Sequence, residues 1–335
     1  MEILSNEETY TYSLEVNYLQ DNYYKVTLVN QTNNHEQIIL KNKDGVYVVT
    51  PALNKSFKFQ SEWPESSSQS YILSSLVNDV LKDKESSFEE QDKNYIIKSS
   101  VNYPNNSELS YQKIYFDKNM NIEKVEVYNS DNTVIIKAMF SSVNLKASLD
   151  ESIFSLESII DVTPDNESSN PDEASKPNDN TNNQSNPNNS NNNQNSNNNT
   201  NSNNCETEDC DTKTGNIIDS IIYPLYIPSQ TYLSNSEKVD TDYGNRIILT
   251  FAGDKNFVLI EEVANISNDF EIIPVYGDPV MLSDTIAAKS ANSMYWTSDN
   301  ISYYLTSSDL STAEMVTIAE SLGNAKTVSS VASTK

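Results

Sequence analysis

A run of asparagine limits what this chain can fold into. Between Thr181 and Asn204, 15 of 24 residues are Asn, and none is aliphatic or aromatic. Such a segment cannot bury enough apolar surface to offset the entropy of ordering it. From Val162 to Gly215 the composition stays Asn, Ser, Pro, Thr and acid, with nine acids against two bases. The sequence therefore predicts two bodies, residues 1–161 and 216–335, joined by a disordered acidic linker over 162–215. Whether the bodies touch is left open.

Charge and residue inventory narrow the function. The chain carries 22 Lys and Arg against 48 Asp and Glu, a formal charge of −26. That field repels phosphate backbones and anionic headgroups, so nucleic acid and acidic membrane surfaces are poor partners. There is one histidine, His35, and there are two cysteines, Cys205 and Cys210. A catalytic zinc needs about three protein ligands, and haem or iron–sulfur centres need His or Cys sets. With six glycines and no GxGxxG or GxxxxGK[ST], nucleotide cradles are absent as well. No catalytic residue, cofactor or metal is expected, which leaves a binding, scaffolding or regulatory protein rather than an enzyme.

The first body reads as short strands. Tyr10, Tyr12, Leu14, Val16 and Tyr18 alternate with polar residues, a half-buried strand pattern. Further strands are predicted over Tyr23–Asn30, Glu36–Lys41, Val46–Thr50 and Ser56–Gln60. A helix is predicted from Ser68 to Leu81, with Ser66, Ser67 and Ser68 as caps. Strands over 95–102, 110–116, 122–128 and 133–140 follow, separated by turn residues such as Ser130-Asp131-Asn132. This is mainly β: an antiparallel sheet of nine or ten strands with an inserted helix. The second body offers strands at Arg246–Phe251, Phe257–Val263, Ile272–Val275, Ser293–Thr297 and Ser302–Thr306. A hairpin turn is expected at Asp299-Asn300. A final helix is opened by a Ser311/Glu314 capping box and ended by Gly323. That is a small α+β domain.

No 18-residue apolar run is present. Glu2, Glu7 and Glu8 stand where a signal peptide would be basic. A strand starting so early predicts a mature or truncated form of a longer exported precursor; a cytosolic protein that starts as written is the alternative.

The stretch from His35-Glu36-Gln37-Ile38-Ile39-Leu40-Lys41-Asn42-Lys43-Asp44-Gly45 through Val46-Tyr47-Val48-Val49-Thr50-Pro51 resembles the clostridial LolA-like lipoproteins, relatives of the germination lipoprotein GerS. So do Leu53-Asn54-Lys55-Ser56-Phe57-Lys58-Phe59-Gln60-Ser61 and Trp63-Pro64. The stretch Met294-Tyr295-Trp296-Thr297 through Tyr304-Leu305, with Ile318-Ala319-Glu320-Ser321-Leu322, is similar to a small domain of Gram-positive extracytoplasmic proteins. The two-part order resembles that of RseB, a regulator of anti-sigma factors. The resemblance implies an open, curved antiparallel half-barrel around a helix. It also implies an exported cell-envelope protein tethered by an N-terminal anchor in the precursor.

A concave apolar sheet face is the default ligand site of such a fold. Phe57 and Phe59 on one strand, Trp63 beyond it, and Tyr71 and Leu76 of the helix are the candidates to line it; ordinary core is the alternative. The expected partner is an apolar ligand (a lipid or a lipoprotein acyl chain) bound outside the cytoplasm. The alternative is an envelope protein: a cell-wall amidase in sporulation or germination by analogy with GerS, or an envelope-stress regulator by analogy with RseB. His35 has no nearby nucleophile and is expected to be structural. Glu261-Glu262 are strand neighbours, which point to opposite faces. Cys205 and Cys210 are a candidate disulfide or an inert loop, with a metal site as the lesser alternative.

Overall fold

The computed structural model describes residues 1–160 and 217–332, apart from 6, 21, 92, 93, 242 and 243. The linker expected over 162–215, with Cys205 and Cys210, lies outside the described residues. The first segment contains β1 (Glu2–Ser5), β2 (Glu8–Leu19), β3 (Tyr23–Asn30), β4 (Glu36–Asn42), β5 (Gly45–Thr50) and β6 (Lys55–Phe59). Helix α1 (Leu73–Lys82) precedes β7 (Ser87–Gln91), β8 (Asn94–Ser100), β9 (Leu109–Phe116), β10 (Ile122–Asn129) and β11 (Val134–Met139), and a short α2 (Glu157–Ile160) follows. The second segment contains β12 (Thr231–Thr241), β13 (Gly244–Gly253), β14 (Phe257–Val263), β15 (Glu271–Val275) and β16 (Gly277–Met281). It continues with β17 (Ile286–Ser290), β18 (Ser293–Ser298), β19 (Ile301–Thr306) and α3 (Thr312–Ala332).

The fold is mainly β, built on two sheets. One has twelve strands in the order β15-β6-β5-β4-β3-β2-β1-β11-β10-β9-β8-β7; the other has seven, β12-β13-β14-β19-β18-β17-β16. Both have two free edges, so neither closes into a barrel. Among the described residues all pairings are antiparallel except one: β15, from the second segment, lies parallel to β6, with Ile273 opposite Phe57.

One face of the large sheet is apolar across its inner strands, and three different pieces of chain cover it. At the β8–β11 end, Leu76 of α1 packs on Ile114, Val125 and Ala138. In the middle, Trp63, Tyr71 and Ile72 pack on Tyr24, Val26, Ile39 and Val48. Beside them sit Ile286 and Ala288 of β17. On the opposite face, Phe154 and Ile159 cover Ile38, Leu40, Tyr47 and Val49. Strands β4 and β5 are thus buried on both sides. This explains why Ile38-Ile39-Leu40 and Val46-Tyr47-Val48-Val49 are unbroken apolar runs rather than alternating ones.

In the small sheet, Leu249, Leu259, Trp296 and Leu305 face Met315, Ile318 and Leu322 of α3. The Ser311 capping box forms: the Ser311 amide donates to Glu314 Oε2 at 2.8 Å, and the Glu314 amide donates to Ser311 Oγ at 3.3 Å. The β18–β19 turn places Asp299 and Asn300 at φ of 44° and 64°, as a tight hairpin requires.

Two helix limits differ from the expectation. Helix α1 starts at Leu73 with no side-chain cap. Ser68 is used elsewhere: its amide donates to Asn102 O and its hydroxyl accepts from the Asn102 amide, both close to 2.8 Å. Helix α3 runs through Gly323 to Ala332. An interior glycine costs about 1 kcal/mol relative to Ala, and a helix already anchored by its buried first turns accommodates that.

Candidate functional site

The structure brings together four of the five aromatic and apolar candidates. Phe59, Trp63 and Tyr71 share one buried cluster, and Phe57 packs against its margin. Leu76 belongs to the neighbouring cluster under α1. Phe59 and Trp63 are each 2% exposed, so their rings meet the chain's own side chains. Trp63 stands edge-on to Tyr24 with centroids 5.9 Å apart.

Part of the filling, Ile286 and Ala288, comes from the second segment, and polar contacts pin it. The Tyr12 hydroxyl donates to Ser283 O at 2.8 Å. Gln37, buried on β4, accepts from the Ile286 amide at 2.7 Å and from the Thr285 hydroxyl at 3.1 Å. Strand β17 then lies between two cores: Ile286 and Ala288 face the large sheet, while Ala287 faces α3. Gly277 lets β16 approach it, since a Cβ there would sit 1.8 Å from Lys289 O.

Beside this junction a concavity of about 740 Å³ remains. One wall is Lys55, Phe57 and the β15 edge; the other is the outer face of the small sheet, with Arg246, Glu262, Tyr295 and Tyr304. Phe57 and Tyr295 pack at 5.0 Å across its floor. Tyr276, 73% exposed, stands at its rim. Arg246, the chain's one arginine, pairs with Glu262 across the β13–β14 ladder at 2.7 Å. Its Nε is covered from solvent with no hydrogen-bond partner. Among the described lining residues, Lys55 and Arg246 stand against Glu262, an excess of positive charge on a strongly acidic chain. Hydroxyls of Ser290, Ser293 and Ser302 line it further. The arrangement suits an extended segment with an aromatic or aliphatic side chain and an acidic group.

His35 is not among the lining residues. Burial lowers its pKa, opposed by the carboxylates of Asp284 and Asp299, and its Nε2 makes no hydrogen bond. Glu261 and Glu262 do point apart: Glu261 is buried and Glu262 faces the cleft. Among the described residues no group of His, Cys, Asp and Glu is placed to hold a metal ion. No described helix is long and apolar enough to cross a membrane, which says nothing of strands.

Sporulation protein YdcC of Bacillus subtilis (strain 168) is 32% identical to this chain over 323 residues, 96% of the chain and 83% of the relative. The chain belongs to the YdcC family. No family model matches it. Among solved structures, MucB in its complex with MucA from Pseudomonas aeruginosa is 10% identical with a TM-score of 0.28, covering 95% of this chain and 89% of that one. The complex of the CwlD amidase with the GerS lipoprotein from Clostridioides difficile gives 11% identity and a TM-score of 0.24 over 44% of this chain and 82% of the other. TM-scores this low carry no functional argument.

Sequence reasoning did not single out Lys55, Arg246 or Tyr276 as site residues, and it read Glu262 only as solvated charge beside Glu261. The lone arginine of a lysine-rich chain was the one available signal.

Proposed function

We propose that this protein is a non-enzymatic interaction component of sporulation, acting at the cell envelope outside the cytoplasm, and that the cleft between β15 and the small sheet receives a partner protein. Membership of the YdcC family supports the sporulation setting. The observation that carries the choice of a protein over a lipid is the filling of the large sheet. The apolar lining that an acyl chain would use already packs against Trp63, Tyr71, Ile286 and Ala288. The open concavity instead mixes aromatic rings with Lys55, Arg246 and Glu262. Such a surface recognises peptide better than hydrocarbon, because an acyl chain would take these charged groups out of water without hydrogen-bonding them.

The test is a photo-crosslinking residue at Tyr276 in sporulating cells that make the chain, with the same residue at Leu81, 78% exposed, as control. The expected outcome is a protein adduct at 276, absent at 81 and reduced by Arg246→Ala. A lipid adduct, or equal adducts at both positions, overturns the reading. The location is tested separately with a phosphatase fusion that is active only outside the cytoplasm; an inactive fusion overturns that part.

A further inference from the structure

Away from the cleft, the outer face of β8–β11 gathers lysine and tyrosine in an ordered lattice. Strand pairing sets Lys98 opposite Lys113, Lys113 opposite Glu126, and Glu126 opposite Lys137. Tyr111 and Tyr128 stand beside that row and stack at 4.8 Å with planes 5° apart. Lys98 Nζ lies 4.2 Å from the Tyr111 ring centre and Lys113 Nζ 5.5 Å from that of Tyr128, so the stacked pair is flanked by two ammonium groups. Lys124 lies 4.0 Å over Tyr115 and pairs with Glu126 at 2.6 Å; Lys137 pairs with Glu2 at 3.5 Å. Among the described residues, Lys98 and Lys113 have no carboxylate within ion-pair distance. Like charges directly opposite on neighbouring strands are unfavourable, and an anion seated between them removes the repulsion. The inner face of the same strands is core, which leaves this face turned outward.

We propose that this face docks an acidic, extended segment of a partner protein whose carboxylates bridge Lys98 and Lys113. Charge complementarity carries the assignment. On a chain of −26, an acidic partner is repelled by most of the surface and is steered to the patch of opposite sign. Glu126 argues against a uniformly charged polymer, which would meet that carboxylate in the middle of the row. A peptide that alternates acidic and neutral side chains avoids it, and the tyrosines supply rigid contact area at small entropic loss. The inference rests on the interaction reading, but none of these residues lines the cleft, so the two surfaces can fail independently.

The experiment uses the full chain and a fluorescent peptide of alternating Glu and Ser, read by anisotropy. Binding is expected at low salt and is weakened by added salt. Lys98→Gln/Lys113→Gln is expected to weaken it about tenfold, as loss of two exposed charge pairs would. The Arg-for-Lys double variant keeps the charge and retains binding, while Arg246→Ala leaves it unchanged. Absence of binding overturns the proposal. So does binding that survives the Gln pair, or polyphosphate displacing the peptide below the peptide's own dissociation constant, which would reassign the face to an anionic polymer. If the Gln pair fails to fold, Lys113→Gln alone carries the same comparison.

Discussion

The two ends of the twelve-stranded sheet are finished differently. At β4–β5 both faces are covered, by Trp63, Tyr71 and β17 on one side and by Phe154 and Ile159 on the other. At β8–β11 only the inner face is covered, by α1, and the outer face presents tyrosines and lysines. A strand buried on both faces contributes stability and has no surface left to offer. A strand buried on one face keeps half of its side chains available for recognition. The same sheet thus divides its labour along its width.

The largest expected effect separates the two ends. Trp63→Ala should lower stability by about 3–5 kcal/mol, as loss of a buried aromatic side chain does. Tyr128→Ala on the outward face should lose about 1 kcal/mol, mainly its stacking with Tyr111. Urea denaturation of both variants checks this, and equal losses would break the contrast. Next, Gln37→Ala leaves the buried Ile286 amide without its acceptor, at about 1–3 kcal/mol. Hydrogen exchange should speed up in β17 while β8–β10 keep their protection. Uniform acceleration would mean that the junction is not a separate element.

A pH-dependent effect sharpens the picture further. Glu320 on α3 accepts from Ser283 Oγ at 2.9 Å and Ser5 Oγ at 3.4 Å, and burial raises its pKa above the usual carboxylate value of 4.5. The folded state therefore holds this proton more tightly than the unfolded chain. Stability declines as pH rises from the unfolded value through the folded one. Glu320→Gln should leave stability unchanged at pH below 4.5 and increase it at neutral pH, measured by denaturation at both. An equal change at both pH values would remove the titration from the account. The smallest effect is expected for Met139→Ala, 59% exposed on the outer face of β11: within about 0.5 kcal/mol by thermal melting.

Much of the strand content was legible because it follows local pattern. The Tyr10–Tyr18 alternation and the Ile38–Leu40 and Val46–Val49 runs each appear as strands. Strand β17 was not recognised, since Ile-Ala-Ala-Lys-Ser lacks β-branched alternation and owes its conformation to the two cores that hold it. Strand β12 escaped because an exposed edge strand of Ser, Asn, Glu and Lys carries no apolar period. Ile272–Val275 reads as a strand, but nothing local says that it pairs with β6, more than two hundred positions earlier. The cleft inherits that blindness. Its walls come from opposite ends of the chain, so Phe57 could be singled out while Tyr295, which packs on it, could not.

The parallel addition of β15 and the wedge of Ile286 and Ala288 bear on how the molecule is made. Synthesis proceeds from the amino end at about 5–20 residues per second. The early strands therefore emerge with greasy rings uncovered and wait on the order of ten to fifty seconds for the late segment that shields them. A nascent chain of this design leaves the surface later covered by Ile286 and Ala288 open until its final third arrives.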